Sequence, residues 1–123
     1  MLDNYFYPLN FAGLSQEYSD YCKSFFTVIP VPYDSSTSYT PGARKGPLAI
    51  IDSSIQLEWF DDELELENYK LGIHTFDFLD TKIHPEKTIE ILTNVVSKVI
   101  SDGKFPIVIG GDHSLSYAPI KTF

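Results

Sequence analysis

The chain has 123 residues, enough for one domain with a single core that hides roughly two-thirds of the unfolded surface. Its 17 acidic against 9 basic residues leave a formal charge of -8, which argues against a nucleic acid or an anionic membrane as partner, because both need clustered cations. A small cationic molecule is compatible with that charge. Cys22 is the single cysteine, so an internal disulfide is excluded and a reducing compartment is expected. Met1-Leu2-Asp3-Asn4 has neither the basic start nor the apolar core of a signal peptide, and no apolar run approaches ~20 residues. The expectation is a soluble, cytoplasmic protein.

Residues 1–24 read as an N-terminal arm. Tyr5-Phe6-Tyr7-Pro8 and Phe11 lack a helical period and are interrupted by proline, so they should lie extended over an apolar surface, either of their own domain or of a neighbouring subunit. Ser15 to Lys23 can form a short helix. Phe25-Phe26-Thr27-Val28-Ile29 reads as a first buried strand, ended by Pro30 and Pro32, which cannot donate to a ladder.

From Pro32 to Gly46 runs a long polar loop at the carboxyl end of that strand, a place where loops carry function more often than elsewhere. Asp34 and the Ser/Thr hydroxyls can line a crevice there, or the segment can be a solvated connector. Arg44 can pair with a carboxylate elsewhere on the surface. Pro47 stands at a first helical position, and Leu48, Ile51 and Ile55 follow at helical spacing, predicting a helix over one sheet face. The six acidic residues between Glu58 and Glu67 read as a solvated surface rather than a metal site.

Lys70 to Phe78 alternates and predicts a second strand. His74, Asp77, Asp80 and His84 lie around it as a conceivable ligand set. Their spacing matches no metal template and His84 directly precedes Pro85, so the stretch reads as a strand end and loop. Pro85-Glu86 opens the clearest helix, whose apolar stripe is Ile89, Leu92, Val96, Val99 and Ile100, with Gly103 as the stop. A right-handed crossover then makes the flanking strands parallel.

Phe105-Pro106-Ile107-Val108-Ile109 is the third strand, expected to be buried, and it breaks into Gly110-Gly111-Asp112-His113-Ser114. The glycines allow a sharp turn or a positive φ at the strand's carboxyl end. His113 can offer a ring nitrogen to a metal, and Asp112 can accept a hydrogen bond and fix ligand orientation. A plain tight turn fits the same letters. A phosphate loop fits less well, since neither G-x-G-x-x-G nor G-K-[ST] follows.

Taken together, Val31-Pro32-Tyr33-Asp34, Pro41-Gly42-Ala43-Arg44 with Gly46-Pro47, Ser54 and Leu57-Glu58, and Gly103-Lys104-Phe105-Pro106 leading into Gly110 to Ser114 resemble the N-terminal part of the ureohydrolase (arginase/agmatinase) family, on its agmatinase branch. The resemblance implies a three-layer α-β-α fold with a parallel sheet, incomplete in this chain, so that 1–123 is the N-terminal part of a single α/β domain. It implies a pair of Mn²⁺ ions at the strand carboxyl ends, whose bridging hydroxide attacks the carbon of a small cationic guanidino substrate, agmatine above all, releasing urea and an amine. It gives His113 the role of a metal ligand and suggests a homo-oligomer in the full-length form.

The family's other ligands come from D-A-H-x-D and D-x-D segments, and neither occurs in these 123 residues. A lone imidazole cannot hold Mn²⁺ against water. The chain alone is therefore expected to be inactive, with an incomplete sheet, an exposed edge strand and marginal stability or association. Two other readings are a non-catalytic partner that docks on another chain, and a split enzyme whose missing ligands arrive in trans.

Overall fold

The structure, a computed structural model, describes residues 5–34 and 41–123. Three strands, β1 (Phe26–Val31), β2 (Ile73–Thr75) and β3 (Phe105–Gly110), form one sheet in the order β2-β1-β3, with both pairings parallel. The helices are α1 (Gln16–Ser19), α2 (Gly46–Ser54), α3 (Thr88–Ser101) and α4 (Tyr117–Thr122). The path from β1 through α2 to β2 crosses the sheet in one direction, and the path from β2 through α3 to β3 returns in the other. Right-handed crossovers therefore place α2 and α3 on opposite faces, a three-layer α/β arrangement. β1 is central and buried on both faces: Ile29 and Val31 pack with Leu92, Val96 and Val99 of α3 and with Leu115 and Ala118, while Val28 is turned to the α2 side with 1% of its surface exposed.

β1 runs on through Pro30, where the sequence placed its end. The Val28 and Pro30 carbonyls accept from the Phe76 and Leu79 amides, so these residues direct their polar groups towards the β2 side. β2 has already ended at Thr75 opposite Val28, and the donor that Pro30 lacks would have had no ladder partner there. β2 is also shorter than the alternation predicted. Asn68–Leu71 forms a 3-10 turn, and Gly72 takes φ +83 in a place where an added Cβ would meet Ser24 Cα at 2.6 Å. Only Gly fits that approach, and the extended run starts after it.

Two further expectations change in detail. In α2 the buried residues are Pro47, Ile51 and Ser54, while Leu48 is exposed. Pro85 opens a 3-10 turn, Pro85–Lys87, and α3 starts at Thr88, whose hydroxyl donates to the His84 carbonyl. The stripe Leu92, Val96, Val99 is buried as its spacing requires, and Gly103 turns the chain at φ +75.

β3, expected to be buried, is an edge strand. Phe105 is 46% and Ile107 38% exposed, and among the described residues no further strand continues the sheet beyond β3. The Phe105 amide donates to the Phe25 carbonyl; by alternation the Pro106, Val108 and Gly110 main chain faces the open flank.

The segment from Asn10 to Ser24 docks on its own domain. Phe11 N donates to Thr75 Oγ1 at 3.0 Å and Ala12 N to Ser54 Oγ at 2.9 Å. Trp59 Nε1 donates to the Ala12 carbonyl at 3.0 Å, and Leu14 is fully buried. Tyr5, Phe6 and Tyr7 are exposed. Among the described residues no helix is long and apolar enough to cross a membrane.

Candidate functional site at the carboxyl rim of β1 and β3

The direction of the connections reverses between β1 and β3, which makes the space beyond their carboxyl ends the switch point of the sheet. The two strands stay paired to Val31 opposite Gly110. Just past that rung, Asp112 N donates to the Tyr33 carbonyl at 2.8 Å, holding the two exits together.

The glycines there are needed for space and not for backbone angle. Neither Gly110 nor Gly111 is among the residues with positive φ. A Cβ on Gly111 would stand 1.9 Å from the Tyr33 oxygen, and one on Gly110 would stand 2.7 Å from Leu115 Cδ1. The dipeptide signals a kink, but the carbonyl that demands the missing methylene lies far back along the chain at Tyr33, and nothing in the local sequence points to it.

After the kink the chain makes a 3-10 turn, His113–Ser116, and then α4. Asp112, 8% exposed, is the N-cap; its Oδ1 accepts from Ser114 N at 2.8 Å and from the Ser114 hydroxyl. Leu115 anchors the turn in the core at 2% exposure. His113 is exposed on the rim and lines a cavity of about 200 Å³ with Gly111, Asp112, Ser116 and Pro119. Among the described residues its ring has no hydrogen-bond partner, and the Asp112 carboxylate is bonded to the turn.

On the β1 side, Asp34 Oδ2 accepts from Gly42 N at 2.8 Å and from Arg44 Nη1 at 3.0 Å. The Gly42 amide, followed by the Arg44 main chain and guanidinium, holds the Asp34 carboxyl below the usual carboxylate range. Arg44 thus finds its carboxylate within its own loop. The Ser/Thr hydroxyls expected to line a crevice fall at 35–40, outside the described residues.

His74, Asp77, Asp80 and His84 are not gathered into a ligand set. His74 Nδ1 lies 2.8 Å from the Ser19 carbonyl, and its ring meets Tyr21 and Phe76 edge-on. Asp80 caps the following turn through the Lys82 and Ile83 amides. The acidic stretch from Glu58 to Glu67 is solvated, with an isolated bridge between Asp61 and Leu66. Among the described residues no group of three His, Cys, Asp or Glu side chains can hold a metal ion. One imidazole is too small a donor set for a hard divalent cation, so these residues do not by themselves fit Mn²⁺.

The sequence model described as the Arginase family matches residues 25–123. An N(1)-aminopropylagmatine ureohydrolase from Synechocystis is 32% identical over 113 residues, spanning 87% of this chain and 37% of the relative. Among solved structures, the agmatine ureohydrolase of Thermoplasma volcanium superposes with a TM-score of 0.85 over 99% of this chain and 41% of its own, at 24% identity, a likeness of fold. The formiminoglutamase of Trypanosoma cruzi with Mn²⁺ gives a TM-score of 0.76 at 25% identity over 95% of this chain and 40% of its own. The chain spans little more than a third of the length of the curated relative.

Proposed function

We propose, from the premise that this chain belongs to the arginase family, that it is the N-terminal part of an agmatinase-type ureohydrolase, with residues 1–24 as its arm. The whole enzyme hydrolyses a guanidino compound, agmatine or its aminopropyl derivative, to urea and an amine. The observation that carries the reading is the position of His113: an exposed imidazole, within the matched stretch, at the switch point of the sheet. The name of the Synechocystis relative supports the substrate class, and the formal charge of -8 suits a cationic substrate. Mn²⁺ in the trypanosomal structure supports the metal.

In this reading His113 is one donor to Mn²⁺, and the remaining donors belong to polypeptide other than these 123 residues. No catalytic step is assigned to the chain alone. The complete protein is a cytoplasmic homo-oligomer of polyamine metabolism with no nucleic-acid or membrane partner.

Urea release from agmatine in the presence of Mn²⁺ tests this. The chain alone should release none; adding a polypeptide that carries the D-A-H-x-D and D-x-D segments should restore it, and His113→Ala should abolish it again. Urea release that survives His113→Ala removes the reading. The exposed apolar flank of β3, with Phe105, Ile107 and Phe123, favours a second reading, a non-catalytic partner subunit. That reading requires stable binding to another chain with no urea release under any of these conditions.

A further inference from the structure

We propose that Asp112 is the positioning residue of His113: its buried carboxylate closes the turn that sets the direction of the imidazole before any ligand or further polypeptide arrives. The inference rests on the reading of His113 as a donor and adds what holds it in place. Among the described residues the ring makes no hydrogen bond, so among them it is the main chain from Gly111 to Ser116 that aims it. That main chain is fixed at three points. Asp112 N is tied to the Tyr33 carbonyl at 2.8 Å, so the turn starts from a strand exit that cannot slide. Leu115, with 2% of its surface exposed, anchors the far side in the core.

Between these anchors Asp112 closes the turn twice: its carbonyl accepts from Leu115 N at 3.3 Å, and its side chain takes both the amide and the hydroxyl of Ser114 on Oδ1. His113 is the single residue spanned by the side-chain bond. With Asp112 at 8% exposure, little water reaches the carboxylate to compete with the Ser114 donors. Gly111 adds to the constraint, since the Tyr33 oxygen fills the space of its missing Cβ. The ring is therefore directed indirectly, by a capped turn, and not by a partner on its second nitrogen as in most histidine ligands.

The test is nuclear magnetic resonance on the full chain without metal, reading the one-bond residual dipolar coupling of the His113 Cε1–H and the exchange rate of the Ser114 amide. In Asp112→Ala the coupling should collapse towards its motionally averaged value and Ser114 exchange should accelerate roughly five- to tenfold, the effect of losing a cap. Resonances outside residues 110–116 should stay in place. Asp112→Asn keeps an oxygen for the Ser114 amide and should restore most of the ring coupling.

An unchanged coupling in the alanine variant, or no rescue by asparagine, overturns the proposal. Should the alanine variant fail to fold, Ser114→Ala removes only the hydroxyl bond: a reduced ring coupling supports the proposal and an unaltered one overturns it. Because no metal is present, these results stand apart from the urea assay, whose failure would remove the donor role and leave the positioning intact.

Discussion

Thr27 sits at the centre of β1 with none of its surface exposed, and among the described residues its hydroxyl has no hydrogen-bond partner. A buried hydroxyl that gives up water and gains nothing is a net cost. Thr27→Val keeps the shape and removes the polar atom, so the variant should be more stable by about 1–2 kcal/mol, read as a higher midpoint in urea; a lower midpoint overturns the assignment. Gly111 is the opposite case. Alanine there drives a methyl into the Tyr33 carbonyl, and relief requires the exits of β1 and β3 to separate, at about 2–3 kcal/mol for a forced overlap. The Tm of Gly111→Ala should fall, and a Tm equal to the parent would mean that the approach is looser than described. Both residues show a limit of reading letters. Gly-Gly announced a bend at position 110, and β-branched Thr27 announced a strand, but the groups that decide their energetics are supplied by other parts of the fold.

At the level of elements, the arm is joined to the end of α3 by a small polar cluster. Tyr21 OH donates to Asp102 Oδ2 at 2.6 Å, Lys98 Nζ meets Asp102 Oδ1 at 2.5 Å, and Lys104 lies over the Tyr21 ring with its Nζ on the Ser24 carbonyl. Burial, then the Asp102 carboxylate, pushes the Tyr21 phenol up to about 12 from 10.0. The folded chain therefore keeps this proton when the unfolded chain has lost it. The contribution of the pin is complete below pH 10 and fades between pH 10 and 12. Tyr21→Phe should show a flatter decline of stability over that window than the parent, and parallel curves would refute the pin.

Asp34 acts at the other end of the scale. Its carboxyl, lowered chiefly by the Gly42 amide, stabilises the folded state above its unfolded value near pH ~4 and loses that contribution as pH falls through the lower folded value. Asp34→Asn should soften the acid limb of the stability curve, and an acid limb identical to the parent's would count against the pairing. α3 was legible in the sequence because its four-residue apolar repeat depends on helix geometry alone. β2 was over-read because alternation continues through residues that Gly72 and the Asn68–Leu71 turn remove from the sheet. The Tyr21–Asp102 pair, 81 positions apart, left no pattern to read.

For the whole molecule, the parallel pairing and the glycine kink at the carboxyl end of β3 were accessible from motif order and strand–helix alternation. The exposure of β3 was not, because parallel sheets are stabilised from both faces and by neighbouring strands, and residues that such neighbours would cover carry no mark of their absence. Phe105, Ile107, Ile120 and Phe123 are exposed together along β3 and the α4 end of the chain. An apolar flank of this kind favours association, so the Tm of the isolated chain should rise with protein concentration. A sharp melt of a monomer at one temperature, unmoved by a wide change of concentration, would contradict this.

Pro106 gives that flank a polarity of its own. It has no N–H to present on the uncovered side, so an arriving strand finds donors at Val108 and Gly110 and a gap nearer Phe105. Zippering must then begin at the end where His113 stands and fade away from it. Copies stacked edge to edge would meet the same missing rung each time, a built-in brake on runaway ribbon growth.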